Sequence, residues 1–410
     1  MMEIVFLSNV IPLEIKEEVL SKRKDLMSES GESLQWKLVY GLDENLGHPV
    51  RMFNHMLVRS FPTYYPDAYI PRTDFSHAPG AQDINLPYLN VRYIKRLFMG
   101  NSLYREITQW AGDGSGNQKV IIAYSLTPEF TKAIVLAKRK NPGIISCTIV
   151  ADLPEYTVLT NKVSLSDRIY LNWMRERTNA QLSAVDCFVL LTKQMAERLV
   201  THQQYIVMEG IATDHIMRAG TEKPCKMILY AGTLHERFGV RHLVSAFERT
   251  RSRDLSLVLC GMGDSEEYIR AAAARDPRID FRGQLSREEV LSLMSEADVI
   301  VNPRCAEEEF TKFSFPSKNL EALSSGVPFI AYKLAGIPDA YDEWINYPAD
   351  CTEDGLARLL EDVSIDRGGI YTEKAVRARD WVLSEKNTLK QTQRIIELIQ
   401  KVGDDREKVH

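Results

Sequence analysis

The chain has 410 residues, 44% hydrophobic and 26% charged, the balance of an ordinary folded protein of two large or three small domains. Its 51 basic and 56 acidic residues give a net charge of −5, which argues against nucleic-acid binding by the whole molecule and leaves only local basic patches. No apolar run approaches the ~20 residues needed to span a bilayer, and the apolar start at 2–7 meets Ser8 and Asn9 too soon for a signal-peptide core.

Residues 2–7 are expected to form a strand and 13–27 a helix. Short apolar runs at 36–40, 119–124, 144–150, 187–191 and 205–208 read as further strands, with helices at 88–110, 128–140 and 166–185 between several of them. Residues 44–87, rich in Pro, Tyr, His and Asp, break this rhythm and read as a long loop or loop-helix insertion. A second series follows the linker Gly220-Thr221-Glu222-Lys223-Pro224. Strands are expected at 227–231, 255–260, 279–281, 298–302 and 327–331, with helices at 239–251 and 266–275. Ser286 with Glu289 is a capping box that opens another helix.

Strand-helix alternation implies parallel sheets with helices on both faces. The expected fold is α/β, two Rossmann-like domains facing across a cleft. The first spans 1–215 and the second 216–385. A final helix within 386–410, with Ile395, Ile396, Ile399 and Val402 as its apolar face, crosses back to the first domain, which still needs cover on one side of its sheet. The six cysteines show no C-x-x-C spacing, and Cys147, Cys187 and Cys260 lie in or beside apolar runs. They are expected to be buried, reduced and cytoplasmic.

The most informative stretch runs from Asn302-Pro303-Arg304 through Phe313-Ser314-Phe315-Pro316-Ser317-Lys318-Asn319-Leu320-Glu321 to Gly326-Val327-Pro328. It reads as a strand end, a polar loop and a helix starting near Pro316 or Ser317, with Ser317 as a cap. A helix N-terminus offers free N–H groups and partial positive charge to a diphosphate, and Lys318 adds a full charge. Glu321, one turn on, is placed for a ribose diol. Taken alone, the same residues also describe a capped surface helix with a solvated Lys and Glu.

This segment resembles the donor-site segment of bacterial glycosyltransferases of the family-4 kind, which have the GT-B fold and build surface polysaccharides. The resemblance extends over about 226–399. It includes Ile228-Leu229-Tyr230-Ala231-Gly232-Thr233-Leu234 as first strand and glycine loop, Phe281-Arg282-Gly283 as the strand entering the nucleobase pocket, Ala297-Asp298-Val299-Ile300-Val301-Asn302-Pro303 as the next strand, and Gly336-Ile337-Pro338-Asp339. In the first half it is confined to the Rossmann rhythm and Asp152-Leu153-Pro154-Glu155-Tyr156. It implies a retaining, hexosyltransferase-type enzyme. Such an enzyme moves a sugar from a nucleotide-diphosphate donor, a UDP-sugar first, to a glycan or lipid-linked acceptor. No cofactor is implied, because the nucleotide-sugar is a co-substrate. The implied donor contacts are Gly232, Thr233, Gly261, Arg282, Ser317, Lys318 and Glu321.

Two departures stand out. The family's E-x(7)-E pattern keeps its second member at Glu321 but has Phe313 at the first, leaving Glu308 or Glu309 as substitutes. The Arg and Lys that usually follow the glycine loop correspond to Thr233 and Phe238. The leaving diphosphate still gathers negative charge, and Arg237, Lys312 and Lys318 are the cations at hand, Lys318 first and Arg237 second. No Asp-x-Asp motif occurs, so transfer is expected to be metal-independent.

In the first half, Asp152 follows an expected strand, where catalytic side chains gather; it orients a hydroxyl or merely caps the next segment. His77, in Asp74-Phe75-Ser76-His77-Ala78-Pro79-Gly80, is the histidine expected to contact the acceptor. Arg92-Tyr93-Ile94-Lys95-Arg96-Leu97-Phe98 mixes basic and apolar residues. It suits either an ordinary amphipathic helix or one lying peripherally on an anionic membrane. Two other functions remain open: a sugar-nucleotide epimerase of the same fold and a non-catalytic partner subunit.

Overall fold

The computed structural model describes residues 2–24, 30–153, 164–200, 202–214, 226–305, 309–366 and 369–408. They form two compact units, Met1–Glu209 with Thr388–His410, and Gly210–Asn387. The expected linker at 220–224 and the residues Pro154-Glu155-Tyr156 lie outside the described residues.

The first unit opens with β1 (Met2–Ser8), buried on both faces from Ile4 onward. Such a strand is apolar throughout rather than alternating. A 3-10 turn at Leu13–Ile15 leads into α1 (Lys16–Lys22). The run at 36–40, expected to be a strand, lies inside α2 (Ser30–Leu46). Its buried residues Gln35, Trp36, Leu38, Val39 and Leu42 recur at helical intervals. A five-residue apolar window does not separate helix from strand, whereas the longer one does.

Residues 44–87 are also not a loop insertion. They carry β2 (Arg51–Asn54), β3 (Tyr69–Ile70), β4 (Thr73–Phe75) and β5 (Asp83–Asn85). These strands are too short and too polar to show a period. Buried side chains tie them together instead: Asn54 Nδ2 donates to Asn85 Oδ1 at 3.0 Å, and Met52 N to Asp83 Oδ1 at 2.8 Å. β6 (Tyr88–Leu89) pairs antiparallel with β3. There follow α3 (Lys95–Ala111), β7 (Gln118–Tyr124), α4 (Pro128–Lys140), β8 (Ile145–Val150), α5 (Leu165–Asn179), β9 (Cys187–Leu190), α6 (Lys193–Leu199) and β10 (Gln204–Val207). The main sheet has the order β10-β9-β8-β7-β1-β2-β5-β4, parallel except for β4.

The second unit runs β11 (Lys226–Ala231), α7 (Val240–Glu248), β12 (Leu255–Cys260), α8 (Glu266–Arg275), β13 (Ile279–Gly283), α9 (Arg287–Glu296), β14 (Val299–Asn302), α10 (Ser317–Ser324), β15 (Phe329–Ala331), α11 (Glu353–Ile365) and α12 (Ile370–Glu385). The expected capping box is present at α9: Ser286 N donates to Glu289 Oε2 and Glu289 N to Ser286 Oγ. The parallel sheet has the order β13-β12-β11-β14-β15. Alternate residues of β11 feed two core layers, Ile228 and Tyr230 on one side, Met227 and Leu229 on the other. The strand order reverses between β11 and β14, and ligands of open α/β sheets bind beyond the strand ends at such a point.

The last helix, α13 (Thr388–Glu407), packs in the first unit. Ile395, Ile396, Ile399 and Val402 are buried as expected. Gly41 of α2 leaves room for it, since a Cβ there would stand 2.5 Å from Thr388 Cγ2. Asn45 Nδ2 donates to Thr392 Oγ1 at 2.7 Å, and Arg394 Nη2 to the Val207 carbonyl at 2.9 Å.

Candidate functional site

Three turns of the second unit converge past the ends of β11, β12 and β14. Gly232 N donates to the Cys260 carbonyl at 2.9 Å and Leu234 N to that of Met262 at 2.8 Å. Gly261 sits at φ +137°, and a Cβ there would lie 1.7 Å from the Gly232 carbonyl oxygen. Only glycine permits that approach. Gly239, at φ +79°, is pressed in the same way on β14, with a Cβ falling 2.1 Å from the Pro303 carbonyl oxygen. The loop after β11 is thereby laid against Pro303 and Arg304. Thr233 is exposed, and its carbonyl accepts from the Tyr230 hydroxyl at 2.8 Å.

This packing creates a cationic centre. Arg304 lies 4.4 Å from the Phe238 ring centre and 5.3 Å from that of Phe310. Arg237 lies 4.1 Å from Phe310 and 5.7 Å from Phe238. The rings meet edge to face, 6.2 Å apart. Neither arginine has a carboxylate partner among the described residues, and both Nε atoms are buried without a hydrogen bond. Burial, reinforced by the Arg237 charge against the opposing pull of Tyr230, draws the Arg304 pKa down to about 10. Arg304 therefore stays charged at neutral pH. Two like charges gathered on aromatic faces, with donors unused, make a site that favours an anion.

α10 contributes the other wall. Its N-cap is Pro316 and makes no side-chain cap; Ser317 is the first helical residue, not the cap expected from the sequence. Among the described residues, the N–H groups of Ser317 and Lys318 find no acceptor, while Asn319 N bonds the Pro316 carbonyl at 2.8 Å. Lys318 is exposed, and its Cε would lie 3.5 Å from a Cβ on Gly232. Asn302 Nδ2 donates to Asn319 Oδ1 at 2.7 Å, which fixes α10 to β14. Glu321 is half-buried, with Arg287 Nη1 3.6 Å from its Oε1. Arg282 is exposed at the end of β13 and donates to Asp280 Oδ2 at 2.6 Å. Phe313 is buried and offers nothing to a sugar. Glu309 and Lys312 occupy the 3-10 turn Glu309–Phe313, and Glu308 lies outside the described residues.

The structure thus brings Gly232, Gly261, Ser317, Lys318 and Arg237 together and adds Arg304. Sequence reasoning missed Arg304, although Asn302-Pro303-Arg304 puts an arginine immediately after an apolar strand, where such strands end in ligand contacts.

In the first unit, Asp152 is exposed just past β8, and desolvation raises its carboxyl to about 6. His77 differs from expectation. Its side chain has 0% exposure, with Nδ1 2.5 Å from Asp83 Oδ2 and Nε2 2.8 Å from Asp43 Oδ2. Burial alone lowers its pKa, but the two carboxylates outweigh it and raise the ring to about 9. Both nitrogens are spent, so His77 is a charged strut between α2 and β5 and does not offer an acceptor contact. In the 92–98 stretch, the helix begins only at Lys95, and Arg96 turns inward to pair with Glu129, an ion pair rather than a surface charge.

Residues 225–362 match the family model for Glycosyl transferases group 1. Alpha-maltose-1-phosphate synthase of Mycobacterium tuberculosis is 30% identical over 159 residues, 35% of this chain. The match covers 39% of the synthase, so the chain spans about two fifths of that relative's length. Phosphatidyl-myo-inositol mannosyltransferase of the same species is 23% identical over 324 residues, 74% of this chain and 79% of the relative. Among solved structures, sucrose-phosphate synthase from Thermosynechococcus elongatus aligns with a TM-score of 0.64 at 16% identity, covering 98% of this chain and 99% of that one. Anabaena HepE, solved in complex with UDP and glucose, aligns at 0.57 and 14% identity, covering 98% and 100%. The chain thus has the GT-B fold of these structures, and its residues 225–362 match the Glycosyl transferases group 1 family model.

Proposed function

We propose that the chain is a retaining glycosyltransferase that takes its sugar from a nucleotide diphosphate, a UDP-sugar first, and that Arg304, Arg237 and Lys318 hold the diphosphate. The observation that carries this reading is the pair of guanidinium groups on Phe238 and Phe310, charged, half-buried and without carboxylate partners among the described residues. They stand at the topological switch beside the free N–H groups of Ser317 and Lys318. The UDP and glucose in HepE support the choice of nucleotide.

In this reading the bond from the anomeric carbon to the diphosphate oxygen breaks, and its electron pair leaves on the diphosphate. The acceptor oxygen forms the new bond on the same face, and its proton passes to the departing phosphate. Fixed cations act where charge develops, so they lower the barrier more than they tighten ground-state binding. Thr233 and Phe238, at the positions of the family's usual Arg and Lys, had opened the reading of a non-catalytic partner subunit. Arg304 and Arg237 favour an enzyme instead. Because they provide charge without a metal, the proposed transfer is metal-independent.

The proposed acceptor is a glycan or a lipid-linked glycan, and the proposed setting is the cytoplasmic side of a membrane. Leu165 and Ile169 of α5 are 74% and 62% exposed, and Leu97 of α3 is 50% exposed. The two helix starts are joined by Arg92 with Asp167 at 2.7 Å and by the Tyr93 hydroxyl at 3.1 Å from Asp167. Arg92 and Arg168 are exposed beside these residues, which suits an anionic lipid face, whereas Lys95 Nζ donates inward to the Val58 carbonyl at 3.1 Å. Cosedimentation with phosphatidylglycerol vesicles, reduced by Leu165→Asp, tests that part.

Incubation with a panel of nucleotide sugars tests the core of the proposal. Slow donor hydrolysis by one member is expected; a blank across the panel points to the partner subunit. Turnover is expected to survive EDTA. Inhibition by EDTA that Mn²⁺ or Mg²⁺ restores overturns the metal-independent account.

A further inference from the structure

Arg237 brings charge to the anion centre, yet no carboxylate among the described residues holds it, so its placement depends on the turn that carries it. That 3-10 turn, Glu236–Phe238, follows β11. Its N-cap, His235, makes no side-chain cap. The first N–H of such a turn has no partner within its own helix. Here the partner comes from a neighbouring loop: Glu236 N donates to Asp264 Oδ1 at 2.9 Å.

Asp264 lies in the loop between β12 and α8. The two loops are laid together by their backbones, since Leu234 N donates to the Met262 carbonyl at 2.8 Å and Ser265 N to the Leu234 carbonyl at 2.9 Å. The Asp264 carboxylate is then used on both oxygens. Oδ1 accepts from Glu236 N and also from Ser265 Oγ at 3.1 Å. Oδ2 stands 3.0 Å from His235 Nδ1. Desolvation pushes this carboxyl up, but the hydrogen bonds from Glu236 N, His235 and Ser265 outweigh it and hold it below its ordinary value. The His235 ring lies 6.2 Å from that of Phe238, at the end of the same turn.

An acid beside an anion site repels the ligand unless other groups engage it. Both acids nearest Arg237 along these loops are engaged elsewhere. Glu236 Oε2 is 3.4 Å from Arg241 Nη1, and the Asp264 oxygens have the donors just named. Asp264 is exposed, so water screens its charge while its hydrogen bonds remain. We infer that Asp264 is a positioning residue: through Glu236 N and His235 it fixes the turn that aims Arg237 at the anion. The identity of that anion as the donor diphosphate rests on the function proposed above; the tether does not.

Steady-state kinetics on the best donor, together with calorimetry of inorganic diphosphate, tests this on the full chain. Asp264→Ala is expected to lower kcat ~10-fold, the loss of one charge-assisted hydrogen bond, with KM changed less than ~2-fold. Inorganic diphosphate, which carries the charge of the leaving group, is expected to bind ~10-fold more weakly. Asp264→Asn keeps an acceptor for Glu236 N and is expected to stay within ~3-fold of the wild type. In an Arg237→Ala background, Asp264→Ala is expected to cost less than ~3-fold more, because a residue that acts through another adds little to its loss. Asp264→Ser takes the place of Asp264→Ala should that variant not fold. Unchanged kcat and diphosphate affinity in the folded variants, losses that multiply in the double variant, or an Asn variant as impaired as the Ala one each overturn the inference. A blank donor panel with the diphosphate losses intact removes the transferase reading and leaves the tether. A wild type that neither turns over a donor nor binds diphosphate overturns both.

Discussion

Arg304 and Arg237 share one aromatic pair: the first stands 4.4 Å from the Phe238 ring and the second 4.1 Å from the Phe310 ring. Each ring face offsets roughly 0.5–2 kcal/mol of the cost of holding a cation partly out of water. The remainder is repulsion between like charges, which a bound anion relieves. The centre is thus arranged for a ligand carrying at least one negative charge.

Arg304→Ala is expected to lower kcat on the best donor by ~10²-fold or more, the loss seen when one preorganised electrostatic donor is removed. Lys318→Ala is expected to fall in the same range and Arg237→Ala to be milder. Steady-state kinetics together with UDP titration calorimetry separates rate from binding. A folded Arg304→Ala protein with unchanged kcat would show that its charge serves packing alone.

Glu321→Ala is expected to weaken UDP binding by about 1–3 kcal/mol, through loss of a partner for the ribose diol. Arg287 is 3.6 Å from the same carboxylate, so Arg287→Ala frees an oxygen and is expected to leave affinity equal or improved. Calorimetry on both variants checks the pair; equal weakening in the two would mean that Glu321 acts only through Arg287.

Asp152 has its carboxyl raised to about 6 by desolvation. If its ionised form orients the reacting hydroxyl, kcat/KM falls as pH drops through about 6 and is constant above. Asp152→Asn is expected to lower the rate and remove that limb. The same acid limb persisting in Asp152→Asn would assign it to another group.

His77 has its pKa raised from 6.5 to about 9 between Asp43 and Asp83. A raised folded-state value favours folding fully below the unfolded pKa, so this contribution is complete below about pH 6.5 and disappears as pH rises through about 9. Its ceiling is about 3 kcal/mol. Urea melts of the wild type and His77→Gln should differ most near pH 6 and converge toward pH 10; a constant gap across that range would leave the strut without charge.

By itself the sequence determined the elements whose signal is local. Leu255–Cys260, Glu266–Arg275 and Pro128–Lys140 carry their apolar residues and their flanking polar ones within one window, Pro128 marks the first turn of its helix, and the Ser286 and Glu289 box needs only a spacing of three. The parallel α/β class and the buried face of Thr388–Glu407 follow from such windows taken in order. The run at 36–40 was ambiguous because five apolar residues suit a helix or a strand, and packing on the sheet and on α13 decided it. The polar strands within 44–87 form because Asn54, Asn85 and Asp83 find one another across the fold, and no local period encodes that pairing. The cation centre was hidden for the same reason. Arg237 and Arg304 are 67 positions apart, and only the close approach of Gly239 to Pro303 puts them on the same rings. Charge seen one residue at a time indicates which side chains are available; the strand ends at the sheet's reversal decide which of them meet.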